Sequence, residues 1–337
     1  MRQLSEDPQT NTAWPVVSSS SASVEGDAPT GPRRLIGVDW SGRDLSGRDL
    51  SGCDLSHANL SGARLVKAKL VGATLFEADL TGAELVGAVL EGADLTRCRV
   101  DRAGFGQTCL REANLFGVYG AEVTFSGADL RGADLKTARL PEARLLRAQL
   151  GGCDLTGADL TGADLEGSEV VGACFDEASL RHARLTGCVG YAEASWIRAD
   201  IQEVDFRGAY MVRRFIMDQN YLHEFRHQSR ASGLLYLIWW VTSDCGRSVL
   251  RWSGWTAVIV VLYAMAYSLV EVDYGAHPTA LSAVYYSVVT LSTLGYGDVL
   301  PVSMEAQALA MSEALLGYVM LGGLISIFAN KMARRAD

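Results

Sequence analysis

The sequence predicts a multi-domain chain in which a coil that turns a corner every five residues is followed by a set of apolar helices. Two observations support this prediction: an apolar residue recurs at every fifth position between Leu35 and Leu185, and the long uncharged stretches lie near the C-terminal end. The 337 residues carry a net charge of −9, and residues 41–211 hold 25 acidic against 18 basic side chains. This excess of negative charge disfavours a nucleic-acid partner.

The first 34 residues are polar, with a serine run at 18–21 and four prolines, and they hold no apolar stretch long enough for a secretory signal. We expect residues 1–34 to be a disordered tail. The domains predicted after it are the coil at 35–211, a linker with interfacial helices at 212–247 and an apolar helical domain at 248–337.

The five-residue step holds for 31 positions from Leu35 to Leu185, of which 24 are leucine and all but Gly120 are apolar. This step fits neither the period of an α-helix nor the two-residue period of a strand. Two residues before each position stands a second small residue, which is alanine at 19 of the 25 positions from 63 to 183. Both positions are therefore predicted to point inward. After Leu185 the phase slips by one residue, which predicts a bulge near Cys188.

The Ala-Asp-Leu units at 128–130 and 158–160 resemble those of the pentapeptide-repeat family. The resemblance implies a right-handed quadrilateral β-helix, in which twenty residues complete one coil and residues twenty apart, such as Phe105 and Phe125, stack. Coils spaced by about 4.8 Å, the distance between hydrogen-bonded strands, would form a rod roughly 40 Å long.

Some members of that family are acidic rods that mimic DNA and bind type II topoisomerases. A scaffold or spacer is the interpretation that we favour, because acidic residues are interleaved with arginine and lysine along the repeat. Arg43 and Arg48 stand at inward positions where an unpaired charge cannot be buried, so the first coil is expected to be frayed or solvated.

The seven cysteines include no CxxC pair. Cys53, Cys98, Cys153 and Cys188 occupy the repeat position that is usually alanine, and we interpret them as small buried substitutes for it. Such cysteines fit a reducing compartment, and we propose no metal or redox role for them.

After residue 211 the apolar spacing becomes helical, with Val212, Phe215 and Ile216 on one face, and we expect this helix to cap the open end of the rod. It contains the sequence HEFRH at 223–227, which matches the HExxH pattern of zinc proteases. No third ligand follows at a familiar spacing, so solvated surface residues are favoured over a zinc site. A pH-responsive role of the two histidines is a further alternative.

Residues 234–242 (LLYLIWWVT) are apolar but too few to span a bilayer. With two tryptophans on one side and Arg230, Arg247 and Arg251 nearby, they favour a helix lying in the lipid headgroup region. A buried helix packed on a neighbouring subunit is the alternative.

Residues 252–270 carry no charge and would form a helix about 28 Å long, enough to cross the hydrocarbon core. A second candidate span runs from 304 to 329 and is followed by Lys331, Arg334 and Arg335. Basic residues flank the start of the first span and the end of the second, so the positive-inside rule predicts that both termini lie in the cytoplasm. We expect the membrane to be a prokaryotic inner membrane.

The sequence between the spans, TLGYGD at 293–298, is similar to the potassium-channel signature. The resemblance implies a selectivity filter in which backbone carbonyls replace the hydration shell of K⁺, and Gly295 and Gly297 allow the unusual dihedrals that this needs. The short helix before it, at about 281–291, would direct the negative end of its dipole at the central cavity. The filter residues are Thr293, Leu294, Gly295, Tyr296 and Gly297.

The same resemblance implies support for the filter from Asp298, Tyr285 and Tyr286. Glu313 lies within the second span, and we suggest that it forms hydrogen bonds behind the filter or pore helix rather than lining the ion path. Gly317 aligns with the hinge at which inner helices bend. The alternative role for this part of the helix is close helix packing at Gly322 and Gly323.

Residues 234–335 resemble two-transmembrane bacterial potassium channels throughout. The resemblance implies an α-helical pore domain, a homotetramer in a lipid bilayer, K⁺ as the permeant ion, and neither a cofactor nor an enzymatic reaction. The rod would then act as a regulator or scaffold with a cytoplasmic ligand or protein partner yet to be identified. The alternative is a membrane-tethered interaction protein whose acidic rod binds a topoisomerase or another partner.

Overall fold

The computed structural model describes residues 34–275 and 278–336. The tail predicted at 1–34 lies outside the described residues except for Arg34. Isolated β-bridges, in which two parallel backbone segments pair at a single residue, join each repeat to the one twenty residues later, from Arg34↔Asp54 to Glu169↔Val189. Because four bridges occur in every twenty residues, each coil has four sides. The predicted β-helix is confirmed in this respect, while its right-handedness stays a prediction.

The core of the rod is formed by the two inward positions of the repeat. Leu65 and Ala63 are typical of it, with no exposed surface. Their backbones also pair between coils, since Leu65 N donates to Glu84 O at 2.7 Å and Glu84 N donates to Ala63 O at 2.9 Å. Phe105 and Phe125 stack at 5.0 Å between ring centroids, which confirms that residues twenty apart lie above one another.

The corners of the coil depend on the Asp or Asn that precedes the leucine. The side-chain oxygen of Asp54 accepts a hydrogen bond from Ser56 N at 3.1 Å, and that of Asn59 accepts one from Ser61 N at 3.2 Å. The next residue, Gly62 in the second case, has a positive φ of 64°. A unit with Asp or Asn at this position therefore closes its own turn with a side chain that imitates a backbone carbonyl, which is why these two residues recur there.

The predicted bulge is confirmed and lies at Gly190, two residues after Cys188. The bridges shift from a spacing of twenty at Glu169↔Val189 to twenty-one at Cys174↔Ser195. Gly190 has a φ of +80°, and a Cβ there would come within 2.3 Å of a Val171 methyl carbon. Only glycine fits at this position.

The first coil is solvated at its arginines, which is one of the two alternatives expected from the sequence. Its backbone keeps the bridges of the later coils, starting at Arg34↔Asp54. Arg43 is exposed and Arg48 is half-buried, whereas Trp40 at the next inward position is 7% exposed. Bridges to the second coil hold this backbone in place although the arginine side chains leave the core.

The four cysteines at the alanine position are buried, as predicted: Cys53, Cys98, Cys153 and Cys188. Cys98 donates its S–H to Leu75 O at 2.8 Å. Burial raises the pKa of the Cys98 thiol to about 12. These thiols act as small core side chains that are poor nucleophiles at neutral pH.

Helix α1 (Tyr210–Gln228) closes the end of the rod, as predicted. Its Val212 and Ile216 are buried in the same core as the repeats. Gln219 accepts from Trp196 N at 2.6 Å, and Asn220 donates to Trp196 O at 2.9 Å. Side chains of α1 thus take the hydrogen-bonding places that a further coil would fill.

In the described part of the chain, four more helices and one pair of two-residue strands follow α1. The predicted first span is displaced by three residues, because Ser248 accepts a hydrogen bond from Arg251 N and so starts its helix at Val249. Within residues 34–275 and 278–336, two helices are long and apolar enough to cross a membrane, Val249–Tyr267 and Met304–Ala329. The elements are α2 (Arg230–Ser243), α3 (Val249–Tyr267), β1 (Val272–Asp273), α4 (Ser282–Leu291), β2 (Leu300–Pro301) and α5 (Met304–Ala336), with β1 and β2 antiparallel.

Candidate functional site

The loop at residues 292–298 connects the end of α4 to β2 and the start of α5. Its first residues continue from α4, since Thr293 N donates to Thr290 O and Leu294 N to Val289 O, each at 3.0 Å. The rest of the loop is open in the single chain, where Leu294 is 59% and Tyr296 66% exposed. One chain therefore leaves this loop uncovered.

The backbone of this loop has a positive φ at every second residue: +57° at Thr293, +54° at Gly295 and +76° at Gly297. The sequence pointed to the two glycines but not to Thr293, a β-branched residue for which this conformation is strained. In an extended strand successive carbonyls point to opposite sides, so a reversal of φ at every second residue is what a one-sided row of carbonyls needs.

The two tyrosines predicted to brace the loop have different partners. The Tyr285 hydroxyl donates to an Asp298 carboxylate oxygen at 2.7 Å, which ties the end of the loop to α4. Tyr286 is buried instead and packs against Tyr267 of α3, with 4.7 Å between ring centroids. Only Tyr285 of this pair bonds to a residue at the end of the loop.

Glu313 of α5 is fully buried in a cluster that joins three helices. Its carboxylate accepts hydrogen bonds from the Tyr267 hydroxyl of α3, at 2.7 Å, and from the Ser287 hydroxyl of α4. The carboxylate thus lies against α4, as suggested from the sequence. Sequence reasoning missed Tyr267 and Ser287, because each is one of several hydroxyl-bearing residues in its helix.

Two glycines of α5 lie at close helix contacts. A Cβ at Gly317 would be 2.1 Å from Leu291 O at the end of α4, and one at Gly323 would be 2.2 Å from the Trp252 ring of α3. Gly322 has open space around it. The structure therefore gives Gly317 a packing role, within a helix that continues from Met304 to Ala336. Its role as a hinge stays a prediction.

The HExxH histidines lie on one face of α1, with His223 and His227 ring centroids 4.3 Å apart. His227 Nδ1 is 2.8 Å from His223 O, so one ring nitrogen faces the helix backbone. Among the described residues, no group of three or more His, Cys, Asp or Glu side chains is arranged to hold a metal ion.

Comparison with known families matches both parts of the chain. Residues 254–334 match the family described as ion channel. The family described as pentapeptide repeats (8 copies) matches five overlapping segments, 44–75, 75–117, 101–136, 121–157 and 153–189.

Among curated proteins, the chain is 28% identical over 97 residues to two-pore potassium channel 1 of Arabidopsis thaliana, which covers 28% of this chain and 27% of that protein. It is 26% identical over 112 residues to the voltage-gated potassium channel Kch of Escherichia coli, which covers 32% of this chain and 21% of that protein. The chain thus spans about a quarter of the length of the curated relatives that it matches.

Among solved structures, HetL, a pentapeptide repeat protein from a Nostoc cyanobacterium, is 28% identical, with a TM-score of 0.22 over 52% of this chain and 88% of that chain. The fluoroquinolone resistance protein QnrB1 is 22% identical, with a TM-score of 0.24 over 54% of this chain and 96% of that chain. Residues 44–189 are pentapeptide repeats, and residues 254–334 are the ion-channel domain of a membrane protein whose curated relatives are potassium channels.

Proposed function

We propose that this chain is one subunit of a potassium-selective channel, a passive transporter in which four chains surround one pore. The observation that carries the proposal is the alternating backbone of the TLGYG loop, with positive φ at Thr293, Gly295 and Gly297. This conformation supports a row of carbonyl ligands, and oxygen ligands are what a dehydrated K⁺ requires.

The exposure of the loop supports a homotetramer. Non-helical backbone at membrane depth is tolerated only where protein or a water-filled cavity surrounds it. Tyr296 is 66% exposed in the single chain, which leaves room for further copies of the chain around the loop. Four filter strands around one axis provide both the cover and the full set of ion ligands.

The parts of the filter have separate roles in this proposal. The backbone carbonyls from Thr293 to Gly297 bind successive ions, and the Thr293 hydroxyl adds a ligand at the inner end. The negative end of the α4 dipole favours a cation in the cavity. The bond from Tyr285 to Asp298 fixes the outer end of the loop, and K⁺ is the transported ion rather than a resident cofactor.

The proposed setting is a prokaryotic inner membrane with both termini in the cytoplasm, so that the rod is cytoplasmic and regulates or supports the pore. Its link to α3 runs through α1, which is hydrogen-bonded to the last coil. The alternative of a topoisomerase-binding acidic rod is weakened by ion pairs that neutralise its carboxylates, such as Arg131 with Asp129 at 2.7 Å and Arg64 with Glu84 at 3.3 Å.

Liposomes that contain the purified chain test the proposal. We expect K⁺ flux that exceeds Na⁺ flux and is abolished by Gly295→Ala, because a side chain there is strained at the positive φ of 54°. Gly254→Ala in α3 is the matched control, since a Cβ there meets nothing within 4 Å, and it should conduct as the parent does. Equal K⁺ and Na⁺ flux, or flux that survives Gly295→Ala, would refute the proposal.

K⁺ flux through the full chain is compared, in the same liposomes, with flux through a chain that lacks residues 1–211. This comparison assigns the role of the rod. A change in open probability on its removal indicates a regulator. Unchanged flux indicates a scaffold.

A further inference from the structure

Helix α2 has an apolar surface that the described chain leaves uncovered. It has fourteen residues, so it is about 21 Å long and too short to cross a bilayer. Its large apolar side chains are between 38% and 59% exposed: Leu234, Leu235, Leu237, Ile238, Trp239, Trp240 and Val241. An apolar surface of this kind on a helix that does not span is typical of contact with a membrane surface or another protein.

The position of α2 favours a membrane surface. Trp255, in the first turns of the candidate span α3, donates its indole N–H to Val241 O near the end of α2, at 3.2 Å. Asp244, in a left-handed conformation, ends α2 and turns the chain toward α3. The apolar face of α2 therefore lies beside the point at which α3 begins.

Positive charge surrounds this helix. Residues 212–251 hold six arginines against three acidic residues, whereas the rod is acidic. Arg226, Arg230 and Arg247 are exposed, and within the described ranges none of them forms an ion pair. Arg251 is 3.8 Å from Asp244 and lies over the Trp240 ring.

Two of these arginines line one cavity. It measures about 220 Å³ and lies between the end of the rod, α1, α2 and the turn before α3. Arg226 and Arg247 both line it, and the Arg226 guanidinium lies 5.5 Å from the centroid of the Tyr236 ring at its wall. No acidic side chain lines this cavity among the described residues, so it suits an anionic group.

We propose that α2 and its arginines, Arg226, Arg230, Arg247 and Arg251, form a docking surface for the anionic phospholipids of a bilayer. The apolar face of α2 lies among the acyl chains, and the guanidinium groups hold lipid phosphates. This inference rests on the proposed membrane function. Because α1 is hydrogen-bonded to the last coil, lipid binding here also fixes the base of the rod at the membrane surface.

Quenching of tryptophan fluorescence by brominated acyl chains tests this surface. The full chain is placed in vesicles of about three parts phosphatidylcholine to one part phosphatidylglycerol, with bromine on one lipid at a time. The signal of α2 is the difference between the parent and the Trp239→Phe/Trp240→Phe variant. We expect brominated phosphatidylglycerol to account for a larger fraction of the quenching than its mole fraction in the vesicles. High salt should reduce this excess quenching.

Arg247→Gln, alone and with Arg230→Gln, should reduce the excess quenching by brominated phosphatidylglycerol by roughly two- to fivefold for each arginine removed. Neither arginine forms an ion pair within the described ranges, so these changes leave the fold intact. Arg247→Lys keeps the charge and should retain most of the preference. Arg139→Gln/Arg144→Gln, which removes two exposed arginines from the rod, is the matched control and should change nothing.

Quenching in proportion to the mixture, whichever lipid carries bromine, would overturn the preference for anionic lipid. Absence of quenching by either lipid would show that protein, such as a second copy of the chain, covers α2, and would overturn the docking surface. K⁺ flux is measured in the same vesicles. A conducting channel without lipid preference contradicts this inference alone, and lipid preference without conduction contradicts the channel proposal alone.

Discussion

The rod and the helical domain differ in how their apolar side chains are buried. In the rod, each leucine is covered by the coils above and below it in the same chain, as for Leu75 and Leu130, which have no exposed surface. In the helical domain, Leu315 is 69% and Tyr318 64% exposed on α5. The rod thus buries its apolar side chains within one chain, whereas in the proposed channel lipid and further copies of the chain cover those of the helical domain. Substitutions in the two parts should differ in how they depend on the surroundings.

The largest effect is expected from Phe105→Ala. Phe105 is fully buried and stacks on Phe125, so its removal leaves a cavity that costs about 3–5 kcal/mol of the free energy of unfolding of the rod. Thermal unfolding followed by circular dichroism measures this loss. Because the rod completes its own core, the loss should be the same in detergent and in liposomes.

Phe116→Ala is the matched control, because Phe116 is 38% exposed on the same rod, and it should cost much less. A loss at Phe105 that differs between detergent and liposomes would show that the rod also depends on its surroundings.

Gly317→Ala should have the next largest effect. The added methyl group meets Leu291 O at 2.1 Å, so α5 must move away from α4, at a cost of about 1–3 kcal/mol. We expect the assembled channel to dissociate at a lower temperature and K⁺ flux to fall. Gly322→Ala is the control, since that position is open. Equal behaviour of the two variants would show that the contact of α5 with α4 does not matter for assembly.

Glu313→Gln should have a smaller but more specific effect. The amide keeps one acceptor oxygen, so either Tyr267 or Ser287 loses its hydrogen bond, at a cost of about 1–3 kcal/mol. Since α4 leads into the loop, we expect the ratio of K⁺ to Na⁺ flux to fall. Ser287→Ala should act in the same direction. An unchanged flux ratio in both variants would leave Glu313 only a role in folding.

The smallest effect is expected at Asp129. Hydrogen bonds from the Arg131 and Arg111 guanidinium groups hold the pKa of Asp129 well below its usual value near 4. The folded state therefore favours the ionised carboxylate, and this contribution is fully present above about pH 4 and is lost as pH falls below it. Asp129→Asn should cost about 1–2 kcal/mol of rod stability at pH 7 and weaken its decline in acid.

Denaturant unfolding between pH 2 and pH 7 measures this difference. Glu122→Gln, at a more exposed carboxylate paired with Arg102, is the control and should cost little. If the free energy of unfolding depends on pH in the same way in the parent and in Asp129→Asn, the contribution assigned to the lowered pKa of Asp129 is contradicted.

The rod could be predicted from the sequence in detail because its contacts are local and repetitive. The four-sided coil implied by the resemblance to pentapeptide repeats places Phe105 above Phe125, and a slip in the five-residue step locates the bulge at Gly190 within two residues. The sequence shows only that Asp recurs at position 54 and its equivalents. Its role in closing the corners follows from a hydrogen bond that the structure shows.

The helical site was predicted only in part. The loop residues follow from their signature, but the cluster around Glu313 joins residues far apart in sequence, and no periodicity links Tyr267 and Ser287 to it. The positive φ of Thr293 could not be predicted because local preference opposes it for a β-branched residue. Both features depend on how separate helices pack together.

The side chains of Gln219 and Asn220 have one further consequence. A sheet edge with free N–H and C=O groups invites other chains to add to it. At the end of the rod, Trp196 N and Trp196 O are already bonded to these two amides, so no second rod can continue the ladder from those two groups. Four rods brought together beneath one pore would therefore remain separate bodies that do not polymerise end to end there.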